Sequence, residues 1–283
     1  MSDTFKLRYA SHLGFLSPER PQFLASVGSA DVRAQVEYAA GQGMSGIFHP
    51  WAPAQSPDEI GRFGQALSDF GLQCGGLVFA PMDVLLAPHW VRSGDDSRQP
   101  LAGALDHSAS VARDLNASTL VVLLMGDEQQ SQAAQWSAAV ERLRWAGDRV
   151  AHQGLTLAIE PMIVIPGMFL QTIDDTVRLL DEVAHPAVKL VFDTAHVSMM
   201  SDDLSTAWAR SLHHVGPIQI SDMPGRNEPG TGNIDFVGFL NQVIKDGRGD
   251  ELIELEFDWS DPSAEGEQAG VAALHAIDSQ VAA

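Results

Sequence analysis

Two short apolar stretches, LTLAIE (Leu155–Glu160) and VKLVFD (Val188–Asp193), each end in a carboxylate. Short continuous apolar runs are typical of parallel β-strands that are buried on both faces. The two carboxylates lie 33 positions apart, and one strand-and-helix unit of a parallel barrel takes roughly 30 residues. The two stretches therefore predict successive strands of a β/α barrel, with an acid at the carboxyl end of each.

The same alternation of apolar runs and amphipathic segments continues on both sides of these stretches. The predicted strands are Leu7–Leu13, Gly46–His49, Gln73–Phe79, Thr119–Leu124, Leu155–Glu160, Val188–Asp193, Pro217–Ser221 and Leu252–Phe257. The predicted helices are Asp31–Gln42, Ser56–Gly71, Leu101–Leu115, Ser131–Gln153, Thr172–Val183, Asp203–His213, Asp235–Lys245 and Ala264–Asp278. Eight strands that alternate with eight helices predict an α/β fold, a (β/α)8 TIM barrel.

An open, doubly wound sheet is the structural alternative to the barrel. A nucleotide-binding sheet of that kind carries a glycine-rich loop after its first strand, and Ser11–Ser17 shows no such loop. No low-complexity linker or charge run divides the chain. We therefore expect residues 1–283 to form a single barrel domain.

The charge balance of the chain bounds its partners. It has 37 acidic against 17 basic residues, a formal net charge of −20, which repels nucleic-acid phosphates and anionic lipids. The single cysteine, Cys74, excludes an intrachain disulfide, and no run of about 18 apolar residues is present. The first residues also lack the apolar core of a signal peptide. We therefore expect a soluble cytoplasmic protein with no nucleic-acid or membrane partner; a homo-oligomer is compatible with the sequence.

Polar side chains follow or end four of the later strands, where a buried strand does not need them. They are Glu160, Asp193, Gln219 and Glu256, spaced by 33, 26 and 37 residues. In a parallel barrel these strand ends meet at the face that carries the active site. Three converging carboxylates stay ionised only beside a cation, and none of the four strand ends carries Lys or Arg. We therefore predict one divalent metal ion, with Mg²⁺ or Mn²⁺ favoured over Zn²⁺ by the all-oxygen donors.

Several of these segments resemble the hydroxypyruvate isomerases. The segment Ile159–Met162, followed by Ile165–Leu170, looks like the fifth-strand region of that family, and Asp193–His196 looks like its Asp-x-x-His motif. The most specific match is IQISDMPGRNEPGTGNIDF (Ile218–Phe236), and Leu255–Phe257 is similar to the family's closing Cys-Glu-Tyr. The resemblance implies the fold of the wider xylose isomerase-like superfamily of sugar isomerases and epimerases.

The resemblance also implies roles for the residues that match. Glu160, Asp193, Gln219 and Glu256 would be metal ligands, and Glu160 and Glu256 would also be the catalytic acid/base pair. His196 and Arg226 would bind the substrate. The residues themselves fit this chemistry, because moving a hydrogen between adjacent carbons of a hydroxy-ketone needs a base and an acid, and the anionic enediolate needs a Lewis acid.

The sequence departs from the family after Glu160-Pro161. Met162–Ile165 are apolar where the family usually carries polar substrate-facing residues, which predicts a sugar or sugar-acid substrate that bears an apolar or aromatic group. His12 and His49 follow or end the first two strands and are further candidates for substrate contact, although a lone histidine is more often a satisfied hydrogen-bonding residue. Glu254 lies on the same strand face as Glu256, so a shift in the alignment would exchange their roles.

Four functions fit this interpretation to different degrees. The first is a metal-dependent isomerase or epimerase of a keto-sugar or keto-acid. The second is a lyase on the same scaffold, since proton abstraction beside a carbonyl leads to elimination when a leaving group is β to it. A metal-dependent endonuclease is disfavoured by the net charge of −20. A binding module without activity is disfavoured because both members of the acid/base pair are present.

Overall fold

Parallel strands alternate with helices through residues 4–200 and 203–282, the part of the chain that this computed structural model describes. The strands are β1 Arg8–His12, β2 Gly46–Phe48, β3 Gln73–Cys74, β4 Leu77–Val78, β5 Thr119–Val122, β6 Thr156–Ile159, β7 Val188–Asp193, β8 Val215–Ile220 and β9 Leu252–Leu255. The α-helices are α1 Leu24–Val27, α2 Val32–Gly41, α3 Pro57–Phe70, α4 Met82–Leu85, α5 Asp95–Leu115, α6 Gln132–Ala151, α7 Ile173–Val183, α8 Thr194–Met199, α9 Leu204–Ser211, α10 Phe236–Lys245 and α11 Ala264–Gln280. Short 3₁₀ turns span Ala52–Ala54 and Pro88–Trp90.

The sheet closes through one interrupted strand. Its order is β3-β2-β1-β9-β8-β7-β6-β5-β4, with every pair parallel. The two ends of this order, β3 and β4, are separated in the chain only by Gly75 and Gly76. The backbone N–H of Gly75 still donates to the carbonyl of Ile47 (2.8 Å), and that of Phe79 donates to Val121 (3.0 Å). The predicted strand Gln73–Phe79 is therefore one barrel strand in two pieces, and the TIM-barrel prediction is confirmed.

The predicted helices are present, and most of their ends differ by one or two residues from the prediction. The largest difference is α5, which begins at Asp95 and contains Pro100, whereas the prediction began the helix after that proline. The short helix α8, directly after β7, was not predicted. Among the helices of the described residues, none is both long and apolar enough to cross a bilayer.

Side chains alternate between two buried environments along each strand. The outward-facing residues join the helices in one large apolar core, which includes Tyr9, Ile47 and Ile253. Val121, Ala158 and Val191 form a separate small buried cluster, which lines the inside of the barrel. Because successive strand residues point to opposite faces, a polar residue two positions beyond such an interior residue also faces the barrel axis. This places Glu160 and Asp193 at the mouth.

The interruption of the barrel strand is explained by the side chain that it faces. A Cβ atom on Gly75 would lie 2.6 Å from Oε1 of Glu254 and 3.1 Å from the Cα of Phe48. The backbone N–H of Gly76 donates to the same Glu254 oxygen at 2.6 Å. Glycine at position 75 therefore lets the backbone approach a carboxylate inside the barrel, as no other residue could.

We expect Gly75→Ala to lower the free energy of unfolding by about 1–3 kcal/mol, because the added methyl group overlaps the Glu254 carboxylate in a filled interior. Urea unfolding followed by circular dichroism measures this change. Gly61→Ala in α3 is the matched control, because no atom lies within 4 Å of the added Cβ, and an alanine in a helix stabilises it by up to about 1 kcal/mol. Equal stability of Gly75→Ala and the unmodified protein would contradict the close approach.

Candidate active site

The four predicted ligand residues lie together at the carboxyl ends of β6 to β9. Glu160 directly follows β6, Asp193 is the last residue of β7, Gln219 lies in β8 and Glu256 directly follows β9. Asp193 is paired with Gln219 across β7 and β8. All four side chains are buried, with at most 8% of any residue exposed. The barrel topology therefore brings together an all-oxygen set of side chains that are far apart in the sequence.

Asp193 has two functions that its position explains. Its Oδ1 accepts hydrogen bonds from the backbone N–H groups of Ala195 (2.7 Å) and His196 (3.4 Å), so it forms the N-cap of α8. The resulting tight turn directs the His196 ring into the mouth, where its Nε2 lies 3.3 Å from Oε1 of Glu160 and 3.6 Å from Oδ2 of Asp193. The Asp-x-x-His motif is thus a strand end and the helix that it caps.

Arg226 is the cation that contacts these acids. Its Nη2 donates to Oδ2 of Asp193 (2.9 Å) and to Oε1 of Glu256 (2.8 Å), and its Nη1 lies 3.3 Å from Nε2 of His196. The guanidinium also lies over the ring of Phe15, 5.2 Å from the ring centroid, at the distance of a cation–π contact. The sequence predicted a substrate-binding Arg226; the structure adds its ion pairs with two of the acids.

The loop that carries Arg226 is organised by Asp222, which is fully buried. The Asp222 carboxylate accepts hydrogen bonds from the backbone N–H groups of Met223, Gly230, Gly232 and Ile234. A carboxylate held by several backbone N–H groups fixes the loop around it. The long family-like segment Ile218–Phe236 is therefore one folded unit that presents Arg226 to the mouth.

The electrostatics of the cluster reflect an excess of negative charge. Burial raises the pKa of Glu256 well above its ordinary value, and the nearby Glu160 carboxylate raises it further, while Arg226 acts in the opposite direction. Burial acts to lower the pKa of His196, but the carboxylates of Asp193 and Glu160 outweigh burial and raise it. One guanidinium does not balance three buried carboxylates, so the site favours a further cation or a proton.

The donor atoms at the mouth fit a bound cation. Three buried oxygens accept no hydrogen bond among the described residues: Oε1 of Gln219, Oε2 of Glu256 and Oε1 of Glu160, the last lying 3.3 Å from Nε2 of His196. Buried polar atoms without partners are rare in proteins. Glu160, Asp193 and His196 also each offer a ligand atom within 4.8 Å of the others, so His196 is a further candidate ligand that the sequence had assigned to the substrate. Metal binding by these residues remains a prediction.

Comparison with known proteins supports the resemblance seen in the sequence. The family model for the xylose isomerase-like TIM barrel matches residues 36–277. The chain belongs to this family. Hydroxypyruvate isomerase from Escherichia coli (strain K12) is 33% identical over 108 residues, 38% of this chain and 42% of that protein. The 2-oxo-tetronate isomerase from Cupriavidus necator is 28% identical over 143 residues, 50% of this chain and 54% of that protein.

The chain thus spans about half the length of these two curated relatives in the alignments. Among solved structures, an AP endonuclease of family 2 from Brucella melitensis superposes with a TM-score of 0.77. It is 22% identical, and the superposition covers 92% of this chain and 96% of that one. This likeness shows the barrel fold.

His12 and His49 lie outside the acid cluster in this family member. His12 faces the barrel interior, but its Nδ1 accepts from the N–H of Gly14 (2.9 Å) and its Nε2 lies 2.9 Å from the carbonyl of Phe257. The Nε2 contact joins the end of β1 to the residue after β9, while the Nδ1 bond stays within the loop that follows β1, so both ring nitrogens have protein partners. Burial lowers the pKa of His12 to about 4, which keeps the ring neutral near pH 7.

His49 points to the opposite side of the barrel wall. Its ring packs edge-on against Phe63 of α3, with centroids 5.2 Å apart, and it lines a cavity of about 460 Å³ with residues of α2 and α3. Phe48 takes the interior direction instead, because neighbouring strand residues alternate. The structure therefore does not bring His49 into the acid cluster at the mouth; Phe48, the residue before it, faces the interior.

Sequence reasoning missed Phe15 and Asp222 and left Glu254 as an alternative for Glu256. No signal in the sequence marks Phe15, because its contact with Arg226 joins two loops that are distant in the chain. Asp222 lies inside the family-like segment, and its burial is the signal that the structure adds. Glu254 faces the interior one layer below Glu256 and is 3% exposed.

The buried position of His49 predicts a pH effect. Burial lowers the pKa of His49 from 6.5 to about 4, so its contribution to stability is full above pH 6.5 and is lost as the pH falls towards 4, because the unfolded chain takes up the proton first. Between pH 7 and pH 5, we expect the free energy of unfolding to fall by about 2 kcal/mol less in His49→Leu than in the unmodified protein. Urea unfolding at both pH values measures the difference. His152→Leu, at the exposed end of α6, is the control; the same acid sensitivity in all three proteins would contradict the burial effect.

Proposed function

We propose that this protein is a metal-dependent isomerase or epimerase that moves a proton between adjacent carbons of a small keto-acid or keto-sugar. The observation that carries the proposal is the pair Glu160 and Glu256, two buried carboxylates at the barrel mouth that each keep one oxygen without a hydrogen bond. The curated relatives named above are both isomerases, which supports the reaction class. The substrate and the physiological metal belong to the proposal.

Glu160, Asp193, Gln219 and Glu256 would hold the metal ion, with His196 beside them. Carboxylate and amide oxygens are better ligands for Mn²⁺ or Mg²⁺ than for metals that prefer nitrogen or sulfur ligands. When bound, the divalent cation supplies a Lewis acid for the negative charge that develops on the substrate oxygens. Glu160, Gln219 and Glu256 each have a buried oxygen that accepts no hydrogen bond among the described residues, and these oxygens support the ligand set because their lone pairs can bind a metal ion.

The positions of Glu160 and Glu256 suit proton transfer at two adjacent carbons. Glu160 follows β6 and Glu256 follows β9, so β7 and β8 separate them around the mouth. A substrate between the two strand ends would expose opposite sides to the two carboxylates. One glutamate would then remove a proton and the other return it, or one glutamate would do both, which are the alternatives for general acid–base catalysis here.

Arg226 supports an anionic substrate. Hydroxypyruvate and 2-oxo-tetronate, the substrates in the names of the two relatives, are keto-acids, and a guanidinium binds a carboxylate through two parallel hydrogen bonds. The Arg226 side chain is 23% exposed, while the carboxyl group of Asp193 beneath it is 1% exposed. The Arg226 side chain is therefore accessible to a substrate carboxylate, whereas the Asp193 side chain is not.

A lyase acting on a larger substrate is the second candidate, and one observation favours it. Ile163 and Val164, in the loop after β6, are 44% and 50% exposed, and exposed large apolar residues beside a site favour an apolar group on the ligand. Elimination would begin with the same proton abstraction by Glu160 or Glu256. The product distinguishes the two reactions, since an isomerase releases no leaving group.

We expect one Mn²⁺ or Mg²⁺ per chain, and we expect Glu160→Gln combined with Asp193→Asn to lose it, because two anionic ligands become neutral. Elemental analysis of both proteins after dialysis against Mn²⁺ measures the metal content. Glu265→Gln in the exposed first turn of α11 is the control and should keep the metal. We also expect a chelator to remove activity that Mn²⁺ or Mg²⁺ restores; restoration by Zn²⁺ alone, or full metal content in the double variant, would contradict the oxygen-ligand site.

We expect Glu160→Gln and Glu256→Gln each to lower turnover of hydroxypyruvate or 2-oxo-tetronate by ~10²–10⁴, the usual cost of losing a general acid or base. Turnover and solvent exchange are read together by NMR in D₂O, where deuterium at the substrate carbon reports proton abstraction. If the two glutamates divide the work, one variant still exchanges deuterium without forming product.

Metal content must be measured in both variants, because both residues are also proposed ligands. Variants that keep the metal and lose less than about tenfold in turnover would refute the acid/base assignment, given the usual size of that loss. In that event His196, whose Nε2 lies 3.3 Å from Glu160, is the next residue to replace.

A further inference from the structure

Glu254 lies inside the barrel, one layer below the proposed metal site, and both of its oxygens accept hydrogen bonds. Oε1 accepts from the backbone N–H of Gly76 (2.6 Å), and Oε2 accepts from Nε2 of Gln219 (3.0 Å). Glu254 is 3% exposed and pairs with Gln219 in the register of β8 and β9. The side chain therefore connects the interrupted barrel strand to one of the proposed ligands.

The bond to Glu254 determines which end of the Gln219 amide faces the mouth. Burial raises the pKa of Glu254 to about 7; in its ionised form the carboxylate can only accept, so the amide turns its NH₂ towards Glu254. The carbonyl Oε1 of Gln219 then points away, and it is buried without a hydrogen-bond partner among the described residues. This orientation leaves a lone pair free on Oε1 of Gln219, which is paired in register with Asp193, the last residue of β7.

We propose that Glu254 is a positioning residue that orients the Gln219 amide so that its oxygen, and not its NH₂ group, is offered to the metal. This inference rests on the proposed metal-dependent function and adds a residue that neither binds the metal nor touches the substrate. An amide binds a metal ion only through its oxygen. Without a partner to orient it, the Gln219 side chain would present its NH₂ group to the metal in one of the two flipped orientations of the amide. Residues that orient metal ligands typically change metal affinity or activity by about 10–100-fold when replaced.

Gly75 and Gly76 complete the arrangement. A Cβ on Gly75 would lie 2.6 Å from Oε1 of Glu254, and one on Gly76 would lie 3.4 Å from the same oxygen. The two glycines therefore form a cradle for the carboxylate, and the N–H of Gly76 keeps one oxygen occupied. Because that oxygen is held, Gln219 meets the other one, and the carboxylate cannot rotate without losing a bond.

The test compares Mn²⁺ affinity in Glu254→Gln and in the exchange variant, Glu254→Gln with Gln219→Glu, measured by calorimetry and by the electron paramagnetic resonance of free Mn²⁺. In the single variant, the carbonyl of the introduced amide accepts from Gly76 and its NH₂ group faces Gln219, so the Gln219 amide must flip. We expect Mn²⁺ to bind about 10–100-fold more weakly. In the exchange variant, one oxygen of the introduced carboxylate on β8 accepts from the introduced amide on β9, and its other oxygen is offered to the metal. The Mn²⁺ affinity should therefore return to within a few-fold of that of the unmodified protein.

Glu267→Gln is the matched control, because Glu267 is also a buried glutamate that accepts two backbone N–H groups, those of Ala25 and Ser26, away from the barrel mouth. It should keep the Mn²⁺ affinity of the unmodified protein. A folded Glu254→Gln variant with unchanged affinity would overturn the proposal, and so would an exchange variant that is unfolded or remains weak, since it keeps the volume, the charge and both hydrogen bonds. Should Glu254→Gln itself not fold, an exchange variant that binds Mn²⁺ weakly would still overturn the proposal. Absence of Mn²⁺ binding to the unmodified protein would instead refute the proposed function.

Discussion

The constraint on which this structure depends is the burial of carboxylates at the end of a parallel barrel. Glu160, Asp193 and Glu256 are drawn to one place because parallel strands end at the same face. A buried carboxylate is costly unless hydrogen bonds or opposite charges compensate it. Asp193 obtains this compensation from the N-terminus of α8 and from Arg226, whereas Glu160 and Glu256 each keep an oxygen that accepts no hydrogen bond among the described residues.

Much of the surrounding chain provides this compensation. The helix α8 follows β7 without a connecting loop, which places its N–H groups against Asp193. The loop that carries Arg226 folds around Asp222 and holds the guanidinium between Asp193 and Glu256. One layer deeper, Gly76 and Gln219 satisfy Glu254. At the mouth the network is incomplete, and incomplete satisfaction of buried polar groups marks a place where a ligand is expected.

The sequence predicted the strands and the acids that end them because both follow from local periodicity and from the length of one β/α unit. It could not predict which face a residue at a strand end takes when the strand is short. His49 illustrates this limit: β2 has three residues and ends at Phe48, and His49 packs on Phe63 of α3 instead of facing the acids at the mouth. The contact of Arg226 with the acids and the hydrogen bonds of His12 join segments that are distant in the chain, so no spacing rule reveals them.

Arg226 and the proposed cation need not compete, because the oxygens of the cluster divide between them. Arg226 donates to Oδ2 of Asp193 and Oε1 of Glu256, while the buried oxygens that accept no hydrogen bond among the described residues are Oε1 of Glu160, Oε1 of Gln219 and Oε2 of Glu256. Glu256 therefore stands between the two positions, with one oxygen for each. A substrate carboxylate that takes the N–H groups of Arg226 would release Oε1 of Glu256. Under the proposed function, binding of an anionic substrate by Arg226 would then also free the Glu256 carboxylate, which would become available as an acid or base only when a substrate is present.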